Sequence, residues 1–163
     1  CFVPKPFTPF QWMGQETIER FREKIEYLRG KILNKRVTFQ YHDPKTSSLE
    51  GVFARGDRRL SKVLAAAVER GIFMDGWQEF FDYEKWMRVF ADCGVDPSYY
   101  NERERRFDEF LPWDILDPGV DKAFLLREYE RAVREQTTDD CRGACIRCGI
   151  MSEIMTEGCP CLR

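Results

Sequence analysis

The chain has 163 residues, 43% of them hydrophobic and 33% charged, enough to bury one core, or one core plus a small metal-held appendage. Twenty-six Lys and Arg against 28 Asp and Glu leave a net charge of -2, which excludes a global field drawing the chain to nucleic acid or an anionic membrane. No apolar run approaches the roughly 20 residues that span a bilayer, and the first residues show no charged-then-apolar pattern, so the expected compartment is the cytoplasm.

In chain order, Cys1-Phe2-Val3 followed by Pro4-Lys5-Pro6-Phe7-Thr8-Pro9 reads as the end of a buried strand running into a proline-locked loop. A domain rarely starts so, and the expectation is the C-terminal piece of a larger protein. Residues 16–33 carry Ile18, Phe21, Ile25, Leu28 and Ile32 at alternating steps of three and four, the stripe of an amphipathic helix. Val37, Phe39 and Tyr41 then alternate with Thr38, Gln40 and His42 up to Asp43-Pro44, the pattern of a half-buried strand. Ser47-Ser48-Leu49-Glu50 fits a capping box opening a short helix. Asp57 is placed to cap a second one over residues 58–70, with Leu60, Val63, Leu64, Ala67 and Val68 inward.

Phe73, Trp77, Phe80, Phe81, Tyr83, Trp86 and Phe90 follow, with Asp82 capping a helix that ends near Cys93-Gly94. Aromatics at helical spacing serve as core more often than as a stacking platform. Asp96-Pro97 starts a short helical turn, residues 101–108 are mostly charge, and Asp121 opens a last helix striped by Phe124, Leu125, Tyr129, Ala132 and Val133. The fold class is thus mainly α with a minor β component. Cys1 and Cys93 read as buried hydrophobes.

Chemistry concentrates in the tail. Five of the seven cysteines, Cys141, Cys145, Cys148, Cys159 and Cys161, fall in the last 23 residues. Three thiolates within one loop, followed by a pair that can fold back, suit an iron–sulfur cluster or zinc. Gly143, Gly149 and Gly158 ease tight loops, and Arg142 and Arg147 offset thiolate charge. Redox-exposed thiols or a disulfide are the competing reading. Elsewhere, Arg55, Arg58 and Arg59 crowd a helix start and are a candidate anion-binding cluster, tempered by Asp57 between them. His42, the only histidine, is read as a structural hydrogen-bonder rather than a base or ligand.

Residues Phe2 to Trp12, with Leu49-Glu50-Gly51-Val52-Phe53-Ala54-Arg55-Gly56-Asp57-Arg58-Arg59, Phe110-Leu111-Pro112-Trp113-Asp114 and Phe124-Leu125-Leu126-Arg127-Glu128-Tyr129 ahead of a cysteine-rich end, resemble the C-terminal region of an uncharacterised branch of the cobalamin-dependent (B12-binding-type) radical S-adenosylmethionine (SAM) proteins. The resemblance implies that residues 1–44 are terminal elements of a radical-SAM-type barrel, residues 45–136 a helical accessory domain and residues 137–163 a metal-binding tail. Lys5, Thr8, Gln11 and Trp12 would lie at the barrel mouth. SAM, cobalamin and their domains would belong to a preceding part joined in cis. Cys141, Cys145 and Cys148 share the C-x3-C-x2-C spacing of a SAM-cleaving [4Fe–4S] cluster, but trail the last helix, where no barrel can follow; Arg147 also stands where an aromatic is usual.

The functional expectation is therefore the C-terminal portion of a radical SAM, cobalamin-type iron–sulfur enzyme of unknown substrate, not catalytic alone, with an auxiliary cluster or zinc on the tail. The alternative is a helical binding module whose zinc knuckle docks protein or RNA, supported by the arginine cluster beside aromatics.

Overall fold

The computed structural model describes residues 3–150. Among them the chain is mainly helical, with no strand: α1 (Ile18–Lys31), α2 (Pro44–Arg55), α3 (Leu60–Glu69), α4 (Tyr83–Asp92), α5 (Ser98–Asn101) and α6 (Lys122–Val133). The chain divides into two compact units, one of Cys1–Pro4 with Met13–Glu104, the other of Lys5–Trp12 with Arg105–Arg163. None of the helices is long and apolar enough to cross a membrane.

Side-chain caps set the starts of α1, α2 and α4. Thr17 Oγ1 accepts from Arg20 N at 3.3 Å to open α1. The expected capping box at Ser47 is not the start of α2. That helix begins a turn earlier, because Asp43 Oδ1 accepts from Thr46 N at 3.0 Å and Pro44 presets φ at the first position. Ser47 and Ser48 lie buried inside it. Asp57 accepts from Arg59 N at 2.9 Å ahead of α3, Asp82 from Lys85 N at 2.9 Å for α4, and Asp96 from Ser98 N at 2.9 Å for α5. Asp121 precedes α6 as expected, without a side-chain cap bond.

The first unit packs Leu49 and Val52 of α2, Leu60, Val63 and Ala67 of α3, Trp86, Val89 and Phe90 of α4, and Tyr100 of α5 into one core. The aromatic stretch splits accordingly. Trp86 and Phe90 are core, whereas Phe73, Trp77 and Phe80 stay exposed. Cys93 packs partly buried against this core, as read from the sequence.

A buried polar network lies beside it. Gln15 Nε2 donates to Ser47 O at 2.8 Å, Gln15 N to Asn101 O at 2.6 Å, Asn101 Nδ2 to Ser48 Oγ at 3.0 Å, and Arg55 Nη1 to Asn101 O at 3.2 Å. These bonds tie the segment before α1 to α2 and α5. Two glycines permit the approach: a Cβ on Gly14 would stand 2.1 Å from Glu102 O, and one on Gly51 1.8 Å from Gln15 Oε1.

α1 differs from the other helices of this unit. It packs on α2, yet none of its residues is buried. The segment after it, expected as a half-buried strand, forms no ladder. Val37 and Tyr41 are 53% and 42% exposed. The alternation is that of a strand, but a strand needs a neighbour to pair with, and the described residues supply none.

In the second unit, Trp12, Leu111, Trp113 and Leu125 form the core, with Phe7, Phe124 and Tyr129 packed against it. Trp12 meets the rings of Phe107 at 5.5 Å and Tyr129 at 6.4 Å, both edge-on.

Candidate functional site

The described part of the cysteine loop is anchored on α6. Asp121 N donates to Cys148 O at 2.8 Å, and the Arg127 guanidinium donates to Arg147 O at 3.0 Å. Gly149 is required beside the first of these bonds. Its φ is +91, and a Cβ there would lie 2.4 Å from Asp121 Cγ. The glycine expected to ease a metal loop thus brings that loop onto the start of α6. Gly143 N donates to Asp140 O at 3.0 Å, closing a turn ahead of Cys145.

The thiols themselves are in different states. Cys141 is exposed and free, Cys148 is half-buried and free, and Cys145 is in a disulfide that involves none of the other described cysteines. Cys145 Sγ also accepts from Arg147 N at 3.3 Å. Cys1, Cys159, Cys161 and Gly158 lie outside the described residues. Among the described residues no group of three or more His, Cys, Asp or Glu is placed to hold a metal. The described thiols alone therefore do not fit a cluster or a zinc ion: a tetrathiolate set needs Cys145 reduced and a further ligand. Arg142 forks onto Asp140 and holds that carboxyl below the usual aspartate range, so its charge is already matched.

The three arginines near α3 are separated by burial. Arg55 is wholly buried at the end of α2, Arg58 is exposed, and Arg59 forks onto Asp57 with contacts of 2.6 to 3.0 Å. Arg59 also lies over the rings of Tyr99 and Tyr100, at 5.1 and 5.4 Å. Its hydrogen bond holds Asp57 below the usual aspartate range, and Tyr100 OH donates to the same carboxylate at 3.2 Å. Burial, then the negative charge of Asp57, pushes the Tyr100 hydroxyl up. The structure does not converge these arginines on a common anion.

Residues 5–12, expected from the sequence at a barrel mouth, fold inward at their end. Gln11 and Trp12 are 1% and 2% exposed. Gln11 Oε1 accepts from Phe7 N at 3.1 Å and from Trp113 Nε1 at 2.7 Å, while Gln11 N donates to Thr8 O. Thr8 Oγ1 donates to Lys5 O at 2.7 Å; Lys5 is exposed and Thr8 half-buried. His42 is exposed and has no hydrogen bond among the described residues. It borders an open cleft of about 830 Å³ lined also by Asp75, Asp82 and Tyr83.

Sequence reasoning missed the Gln15–Ser47–Ser48–Asn101–Arg55 network, whose members sit far apart in the chain and show no spacing signal. No protein family, curated protein or solved structure matches this chain.

Proposed function

We propose that the chain is the non-catalytic C-terminal part of a radical SAM enzyme of the cobalamin type, helping to shape access to a substrate site whose reactive groups lie on another part of the protein. The observation that carries the docking half of this reading is α1: four apolar residues, Ile18, Phe21, Ile25 and Leu28, form one stripe, and none is buried. Amphipathic helices draw most of their stability from packing that stripe, so a second body is the natural cover. The enzyme class rests on the sequence resemblance.

The tail is proposed to take an auxiliary iron–sulfur cluster or zinc on Cys141, Cys145 and Cys148, with Cys159 or Cys161 completing the set once Cys145 is reduced. Such a group would supply electron transfer or cross-linking of the loop; the residues of this chain hold the loop against α6 through Asp121, Arg127 and Gly149. No observation favours the nucleic-acid module, since Arg55 and Arg59, on which it leaned, have internal partners.

Amide hydrogen exchange across the chain tests the docking claim. The expected result is much faster exchange in α1 than in α2 and α4, whose faces are buried. Protection of α1 equal to that of α4 would show that the helix needs no further cover.

A further inference from the structure

We infer that residues 37–42 form a strand-addition edge, taking up an extended strand of a partner sheet that carries alternating apolar residues and a carboxylate at the end beside Lys35 and Arg36. The inference deepens the docking reading by naming the kind of partner, and it stands on the main chain rather than on the stripe of α1.

Main-chain bonding is the first observation. Val37 N donates to Asn34 O at 3.0 Å, and the next bonded amide of this stretch is Thr46, to Asp43 Oδ1. Between them, no N–H or C=O of Thr38, Phe39, Gln40, Tyr41 or His42 has a hydrogen bond within the described chain. The segment is largely exposed, so these groups face solvent, and a row of main-chain groups without ladder bonds is a template for another strand.

The side chains match that template. Val37, Phe39 and Tyr41 alternate with Thr38, Gln40 and His42, all but Gln40 and His42 favoured in strands. The Phe39 and Tyr41 rings lie 5.6 Å apart, on one side, as residues two apart do in a strand. The segment also touches α1. Arg29 of α1 donates to the Tyr41 hydroxyl and lies 4.9 Å over its ring.

Charge completes the description of the partner. Lys35 and Arg36 are exposed and make no ion pair among the described residues. No acidic residue occurs between Glu26 and Asp43. A partner strand with Asp or Glu at that end is favoured, and one with Lys or Arg there is opposed.

The test uses the whole chain and a short synthetic peptide of alternating valine and threonine with aspartate at each end, followed by amide NMR and hydrogen exchange. Strand pairing engages every second amide of one edge, so exchange should slow by about tenfold or more at alternate residues from 38 to 42. Gln40→Pro and Phe39→Pro, one on each register, are measured with helix content and Tm as controls. One of them should abolish the protection while both controls stay unchanged. Lys35→Glu with Arg36→Glu should weaken the peptide by about fivefold at low salt. No protection at millimolar peptide, or shifts confined to α1, overturns the inference. So does alternate protection appearing without peptide as the chain self-associates, since the occupant would then be a second copy. Exchange in α1 of the free chain is a separate readout and decides the docking reading by itself.

Discussion

At the scale of residues, close approach and charge pairing make opposite demands on legibility. Gly14 and Gly51 look like ordinary glycines in the sequence, yet each stands where a methyl group has no room. Gly14→Ala should lower unfolding stability by about 1–3 kcal/mol, because the clash is with the Glu102 carbonyl, which cannot swing aside. Urea unfolding measures this, and an unchanged midpoint would show that the backbone yields. Asp57 was legible as a cap and as a neutraliser of its arginines; it pairs with Arg59 and accepts from Arg59 N in the turn ahead of α3, whose own N-cap, Arg59, makes no side-chain cap bond. Its carboxyl sits below the ordinary aspartate range in the folded chain, so its contribution is present above about pH 4 and fades as pH falls through the folded value. The guanidinium is largely exposed, which limits that contribution to under about 1 kcal/mol. Asp57→Asn should therefore lose less stability than the parent between pH 5 and pH 3. An identical loss in both would assign the acid sensitivity elsewhere.

At the scale of elements, six helices follow from periodicity and caps, and the two departures have different physical causes. Helix α2 starts at Pro44 because the Asp43-Pro44 pair caps better than a serine a turn later. The strand pattern of residues 37–42 was legible as a pattern, but pairing depends on a neighbour, which local sequence does not encode. α1 presents the same difficulty in helical form. Its stripe is plain in the sequence, and what covers it is not. Phe21→Glu with Ile25→Glu should change the stability of this chain by less than about 1 kcal/mol, since neither side chain is buried. Val63→Ala with Val89→Ala, on fully buried positions, should cost several times as much, on the order of 2–4 kcal/mol together. Equal losses in the two pairs would mean that α1 belongs to the core of its unit.

At the scale of the whole molecule, the mainly α class was legible from composition and periodicity, whereas the candidate sites were legible only as residue types. The arginine cluster illustrates why. Arg55 and Arg59 are about one helical turn apart on paper, yet one is buried against Asn101 and the other pairs with Asp57, because the helix end at Gly56 turns them apart. Gln11 and Trp12, expected to line or seal a barrel mouth, are buried in the second unit. Tail thiols announce metal by spacing, but their ligand set depends on the oxidation state of Cys145 and on Cys159 and Cys161. Truncation after Asp140 also removes the Asp121–Cys148 bond and the Arg127 contacts, so Tm should fall, and fall further in a metal-loaded sample. The most direct measurement is the iron, sulfide and zinc content of chain purified and reduced without oxygen, with its visible spectrum. The account predicts stoichiometric iron and sulfide with broad absorbance near about 400 nm, or one tightly held zinc without colour. A reduced chain that retains neither metal after reconstitution would contradict the metal-bearing tail and remove the chemical support for a redox enzyme.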